Sequence, residues 1–258
     1  MHKYKRSLRL CHLYPDYMNL YGDFGNVLAL HRRAELHGIH LEYLPLSIGD
    51  ALDPKAYDLF FMGGGQDREQ AVLLSDWHQK GAALALAIEL GVPMLGICGG
   101  YQLMGQRFLT KEGTEIQGLG IIEVETIGKD QRLIGDTMYQ ADFLRERGED
   151  ADLLFGFENH SGQSFLRGNA KALGKVLFGY GNNSEDQTEG CVYKHFVGTY
   201  AHGSFLPRNP AMSDWLLEKA LCLRYQEEIK LPYILTDAEA KAREAAKRLI
   251  EKRRSEKD

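Results

Sequence analysis

The sequence predicts an α/β protein of three layers, with helices on both faces of a mostly parallel central sheet that becomes mixed in its second half. Three observations predict it. Apolar strand-like runs alternate with segments of helical periodicity through the first hundred residues, the pattern of strands joined by crossover helices. Glycines cluster directly behind two of those runs, at Gly63, Gly64 and Gly65 and again around Cys98, and C-terminal strand ends are where open α/β sheets bind ligands. Beyond Gly113 the strand-like runs shorten and turn residues multiply, which suits hairpins better than crossovers.

Each element follows from local pattern. Residues 7–14 form an apolar strand that ends at Pro15 and Asp16. A turn-rich stretch leads to Asn26, a candidate cap for a helix whose apolar positions Val27, Leu28, Leu30, Ala34 and Leu36 recur at helical spacing and which Gly38 ends. Strands are expected over 39–46 and 57–62, a helix over 77–90 closed by Gly91, and a buried strand from Pro93 into the turn at Cys98. Further on, 113–128 reads as short strands, 142–148 as a polar helical piece and 153–158 as a strand. Residues 175–180 and 190–194 read as a hairpin around a long loop, and 196–201 as a last strand. A helix over 211–224 and a charged amphipathic helix capped by Asp237 complete the chain.

Bulk properties narrow the classes. The 258 residues, 44% hydrophobic and 26% charged, suit one large domain over 1–225 followed by a charged helical extension over 226–258. A net charge of −5 offers no nucleic-acid surface. No apolar run is long enough to span a bilayer. The basic start, residues 1–6, leads into no signal-type apolar core, so a cytoplasmic protein is expected. Cys11, Cys98, Cys191 and Cys222 are scattered without a C-x-x-C pair, which points to reduced thiols rather than a zinc ribbon or disulfides. No metal site is expected.

The chemistry centres on Cys98. Gly96, Gly99 and Gly100 flank it and allow a sharp strand-to-helix elbow that presents the side chain outward. Unpaired N–H groups at a helix start favour thiolate over thiol, which makes a cysteine nucleophilic. A thiolate needs a partner that takes and returns a proton, and histidine is suited to it. Of nine histidines, His160 and His202 both follow strands and precede small residues, and His202, between Ala201 and Gly203, is the better placed. Backbone N–H groups of Gly64, Gly65 and Gly99 are candidates for an oxyanion hole, which predicts acyl transfer through a thioester. Gln102, one helical turn beyond Cys98, is a candidate substrate contact. A redox-sensing or binding thiol and a stand-alone amidase are the competing readings. No G-x-x-x-x-G-K-[ST] phosphate loop occurs.

The segment Gly96-Ile97-Cys98-Gly99-Gly100-Tyr101-Gln102 resembles the G-x-C-x-G-x-Q elbow of class I glutamine amidotransferases, and Gly63-Gly64-Gly65-Gln66-Asp67 resembles their oxyanion strand. The stretch from Tyr14 to Asp23, the motif from Gly156 to Gly162 and Gly198-Thr199-Tyr200-Ala201-His202-Gly203 resemble the cobyric-acid-synthase-like branch. There the likeness is to the glutaminase subunits of lipid II isoglutaminyl synthases. The resemblance implies a flavodoxin-like three-layer fold, Cys98 as nucleophile and His202 as base. It also implies Arg132 as the residue that holds substrate glutamine, in keeping with the bidentate grip of a guanidinium on a carboxylate. Most class I members carry an acid two residues after the histidine, where this chain has Ser204, so Glu158 or another acid must orient His202 from elsewhere. No cofactor is implied for this chain. ATP and Mg are implied only for a separate MurT-like, Mur-ligase-type partner, which would use the released ammonia to amidate the D-glutamate α-carboxyl of lipid II at the inner face of the membrane.

Overall fold

In the computed structural model, which describes residues 4–256, the chain opens with β1 (Arg6–Leu13), α1 (Phe24–Leu36), β2 (Ile39–Leu46), β3 (Leu59–Met62), α2 (Asp67–Glu89), β4 (Met94–Ile97) and a single helical turn, α3 (Gly99–Gln102). Then follow β5 (Arg107–Leu109), β6 (Glu115–Gln117), β7 (Val124–Gln140), β8 (Leu153–Leu166), β9 (Gly174–Phe178), β10 (Thr188–Glu189), β11 (Cys191–Tyr193) and β12 (Phe196–Thr199). Helices α4 (Pro210–Tyr225) and α5 (Asp237–Ser255) close it. Of the basic N-terminal segment, residues 1–3 lie outside the described residues.

The expected α/β architecture is present, and its strands divide between two sheets. The first runs β11–β12–β4–β3–β1–β2, parallel throughout except at β11. Every residue of β3, β4 and β12 is buried, as strands covered by helices on both faces require. The edge strand β2 instead mixes buried and exposed positions. The mixed character expected of the second half forms a second, mostly antiparallel sheet, β10–β9–β7–β5–β6, with β8 paired to β7. The stretch read as one hairpin arm over 190–194 differs. Gly190, at φ +59°, ends β10 in the second sheet and turns the chain into β11 in the first. The two arms of that hairpin therefore never pair beyond Glu189.

Three local readings also shift. Helix α2 begins at Asp67, ten residues before the expected start, because its first turn, Asp67 to Gln70, is wholly polar and carries no apolar stripe to read. The residue before α1 is Asp23, and Asn26 lies inside the helix, where its side chain accepts from Leu206 N at 2.8 Å. The cap of α5 is Thr236, in a capping box with Glu239, which displaces Asp237 into the first turn.

Helix α5 is fastened to the body. The Arg33 guanidinium, buried in α1, donates to Asp214 of α4, to Ile234 O at 2.7 Å and to Glu239 at 3.1 Å. Arg243 reaches Arg208 O at 2.9 Å, Asp150 O at 2.6 Å and Leu153 O at 3.1 Å. A buried arginine paired on several sides is strongly oriented.

Asn209 ties the two sheets together next to the site. Its side chain accepts from Phe155 N at 2.9 Å and donates to Phe155 O and Phe205 O at 2.8 and 2.6 Å. Replacing it by alanine leaves those buried backbone groups unpaired, a loss of about 2 kcal/mol or more. Asn209→Ala is therefore expected to lower the thermal midpoint by at least ~4 °C, which differential scanning calorimetry reads directly.

Candidate active site

Strand β4 ends at Ile97, and the backbone of Cys98 then takes φ +49°, ψ −102°, a conformation rarely adopted outside glycine. It is pinned there. The Cys98 N–H donates to Thr199 O at 2.8 Å, and its carbonyl accepts from Tyr101 N and Gln102 N at 3.0 and 2.9 Å. The elbow folds so tightly that a Cβ at Gly96 would stand 2.8 Å from Gly100 O, which explains the glycine there. The helix that follows is one turn long. Little macrodipole is available at the sulfur, and the positive charge that faces it comes from His202 instead.

His202 lies just past β12, in an isolated antiparallel bridge with Phe157 of β8: its N–H donates to Phe157 O at 2.8 Å. Both sheets thus fix the histidine backbone. The acid facing the ring is Asp23. Its Oδ2 sits 3.8 Å from His202 Nδ1 and accepts from Gly64 N at 2.6 Å, and it is fully buried. At 3.8 Å it is an ion-pair neighbour, a spacing that apo sites often show before substrate tightens them. Burial works against the His202 charge, but the Cys98 sulfur and the Asp23 carboxylate outweigh it and push the imidazolium up from 6.5 to about 10.

Gly64 stands at the centre of these groups. A Cβ on it would lie 2.8 Å from His202 Cε1, 3.3 Å from Asp23 Oδ2 and 3.5 Å from the Cys98 Cβ. Its N–H, one of the three expected oxyanion donors, is engaged by Asp23. Gly65 and Gly99 have backbone N–H groups with no acceptor among the described residues, and a Cβ on Gly99 would come within 3.0 Å of Gly65 N. Gly65 thus packs against Gly99, the residue after Cys98, and both amides are unpaired among the described residues.

Cys98 opens onto a cleft of about 400 Å³, lined also by Leu20, Asp67, Phe108, Glu112 and the motif residues 159–162. Arg132 reaches this cleft through a bulge: between the pairs Gly128–Gly162 and Leu133–His160, four residues of β7 oppose one of β8, and such an insertion re-aims side chains. Arg132 Nε donates to Asn159 Oδ1 at 2.6 Å, and among the described residues it forms no ion pair. Gln102 lines the same wall, but its amide oxygen accepts from Gln70 at 3.0 Å and its nitrogen donates to the Tyr200 hydroxyl at 3.1 Å. Its orientation is set by the protein. Asp67 and Glu112 supply negative charge opposite Arg132, and burial and Glu112 push the Asp67 carboxyl up.

The remaining sequence candidates take supporting places. His160 stacks on Tyr200 at 3.6 Å, its Nδ1 lies 2.6 Å from Gly162 O, and burial holds it down to about 4. It is a neutral wall residue at pH 7. Glu158 accepts from the N–H groups of Tyr180 and Gly181 at 2.6 and 2.9 Å, so Asp23, not Glu158, is the acid beside His202. Asp23 and Tyr21 were hidden in a stretch that reads as loop. Their signal was that stretch's glycine- and turn-rich composition and its likeness to a family motif, neither of which assigned a role to either residue.

Two outcomes follow from this geometry. Gly64→Ala is expected to fold yet to slow alkylation of Cys98 by iodoacetamide about tenfold or more, since the added methyl must displace the imidazole. Asp23→Asn removes an anion that stabilises the imidazolium, so the His202 pKa falls from about 10 towards its ordinary value. The alkaline limb of the alkylation-rate profile is expected to move to lower pH. The sign is set by linkage. Stabilisation from the raised pKa is complete below 6.5 and lost as pH rises through about 10.

A family model for the CobB/CobQ-like glutamine amidotransferase domain matches residues 9–210. The chain is 40% identical over 238 residues to the lipid II isoglutaminyl synthase (glutamine-hydrolyzing) subunit GatD of Staphylococcus aureus, covering 92% of this chain and 94% of that protein. It is 39% identical over 231 residues to the GatD subunit of Streptococcus pneumoniae, covering 89% and 86%. Among solved structures, PurLQS from Thermotoga maritima superposes with a TM-score of 0.56 at 14% identity, over 85% of this chain and 99% of that one. The glutaminase domain of Trypanosoma brucei CTPS with bound acivicin does so at 0.55 and 13%, over 90% and 98%. These two similarities speak for the fold. The sequence relatives, matched almost end to end, say more: the chain belongs to the CobB/CobQ-like glutamine amidotransferase family, on its GatD branch.

Proposed function

We propose that this chain is the glutaminase subunit of a two-chain lipid II isoglutaminyl synthase. The observation that carries the reading is the extent of the matches. The GatD relatives align over 94% and 86% of their own length, whereas a cobyric acid synthase of Methanothermobacter thermautotrophicus aligns over 24% of its length. A synthetase that carries both activities on one polypeptide is therefore the poorer match.

In the proposed mechanism Arg132 takes the α-carboxylate of glutamine in a bidentate grip, and Asp67 and Glu112 face its α-ammonium. The Cys98 thiolate attacks the side-chain carboxamide carbon. The developing oxyanion accepts from the Gly65 and Gly99 N–H groups. As the C–N bond breaks, the nitrogen leaves with the proton from His202 as ammonia, and a glutamyl thioester remains. Water then attacks the thioester carbon, gives a proton to His202, and returns the electron pair of the C–S bond to sulfur as glutamate departs. His202 is neutral between the two halves, and Asp23 stabilises the imidazolium before the first and as it re-forms in the second. Gln102 forms the fixed wall against which the side chain of glutamine lies.

The ammonia passes to a separate MurT-like, Mur-ligase-type subunit that binds ATP and Mg and amidates the D-glutamate α-carboxyl of lipid II. The complex works in the cytoplasm, at the membrane face where that lipid-linked substrate is held. No helix of the described residues is long and apolar enough to cross a membrane.

Glutamate release by the chain co-purified with its Mur-ligase-type partner is the direct measurement. Wild type is expected to turn over glutamine, and Cys98→Ala to lose activity by at least ~10⁴-fold, the scale of removing a nucleophile that acts with its base as a unit. Retained turnover in Cys98→Ala defeats the thioester mechanism. Reversible oxidation of Cys98 with no turnover in the presence of the partner favours a redox thiol instead.

A further inference from the structure

The guanidinium of Arg132 and the imidazole of His202 are joined by two side chains, Asn159 and Tyr21. Arg132 Nε donates to Asn159 Oδ1 at 2.6 Å, and Asn159 Nδ2 donates to the Tyr21 hydroxyl at 2.8 Å. The Tyr21 ring in turn stands edge-on to the His202 ring, with centroids 5.1 Å apart and planes at 81°. His202 is 1% exposed while Tyr21 is 49% exposed, so the phenol ring is the outer layer between the imidazole and solvent.

Tyr21 has little else to hold it. It occupies φ +56°, ψ 25° inside the short 3-10 turn Leu20–Gly22, a left-handed backbone that disfavours a bulky residue by roughly 1–2 kcal/mol. Neighbours anchor the turn rather than the ring: Leu20 N donates to Gly64 O at 3.0 Å, and Ser204 Oγ donates to Gly22 O at 2.9 Å. Among the described residues, the ring position therefore depends on one hydrogen bond to Asn159 and one edge contact with His202. A carboxamide is a rigid plane, so whatever turns its oxygen end moves its nitrogen end with it.

We propose that Asn159 and Tyr21 are positioning residues that couple occupation of Arg132 by an α-amino-acid carboxylate to the setting of His202. A carboxylate on the outer nitrogens of Arg132 fixes the guanidinium plane. That plane fixes the Asn159 amide, and the amide holds Tyr21 over the imidazole. The device makes the base best ordered when the bound amide belongs to an α-amino acid. It rests on the assignment of Arg132 to the substrate carboxylate.

The test is steady-state glutaminase kinetics of the assembled complex, with thermal midpoints of the variants recorded alongside. Tyr21→Phe keeps the ring and removes the hydroxyl. It is expected to lower kcat about fivefold, the rate equivalent of one neutral hydrogen bond, with KM within about twofold of wild type. Asn159→Ala cuts the same link and also frees Arg132, so kcat falls to the same degree and KM rises. The double variant Tyr21→Phe with Asn159→Ala should match Asn159→Ala alone, because both remove one interaction. An unchanged kcat in Tyr21→Phe, or a double variant whose kcat loss is the product of the two single losses, overturns the coupling. Arg132→Ala separates the two claims. A raised KM for glutamine supports the carboxylate assignment, and an unchanged KM defeats that assignment whatever Tyr21→Phe does.

Discussion

The carboxylate of Asp23, fastened to the N–H of Gly64 and facing His202, is the contact on which the site depends. It exists because the loops behind β1 and β3 meet where the sheet order reverses, with β2 on one side of β1 and β3 on the other. At that switch point the connections part and leave a crevice. Asp23 fills it from one side and the glycine run from the other. Any side chain at position 64 would displace the imidazole and crowd the carboxylate, so the absence of a Cβ is a geometric condition for both.

Two sheets then divide the work. The parallel sheet supplies the elbow at Cys98 and the strand that leads to His202, both held rigid by complete burial of β4 and β12. The second sheet supplies the far wall of the cleft through β8 and lifts Arg132 into it with the bulge in β7. His202 is where they join, through its bridge to Phe157. A displacement of either sheet would alter the distances among Cys98, His202 and Arg132, and in the proposed reaction small misplacements of such groups are expensive in rate. The ties made by Asn209 and the Arg33 network are therefore as much part of the site as the groups that line it.

Electrostatics follow from this burial. The positive charge beside the sulfur is on a histidine whose neighbours are the Asp23 carboxylate and that sulfur. His160, stacked on Tyr200, is held neutral by burial and by the neighbouring positive charges of His202 and Arg132. His202 follows β12 whereas His160 lies inside β8 and not past a strand end as expected, and it is His202 that Asp23 faces.

What the sequence determined by itself was whatever depends on near neighbours. The strand–helix alternation, the elbow at Cys98, the glycine run and the place of His202 just past a strand all follow from runs a few residues long, because backbone conformation and burial period are local properties. The family motifs added the chemistry. Only the tertiary structure decided which acid faces His202, since Asp23 lies in a turn far from it in sequence and nothing local distinguishes it from Asp16. The split of the 190–194 arm between sheets, the commitment of the Gly64 N–H to Asp23 and the link from Arg132 to Tyr21 are of the same kind. Each depends on which distant backbone lies alongside, and that is settled when the two sheets close on one another.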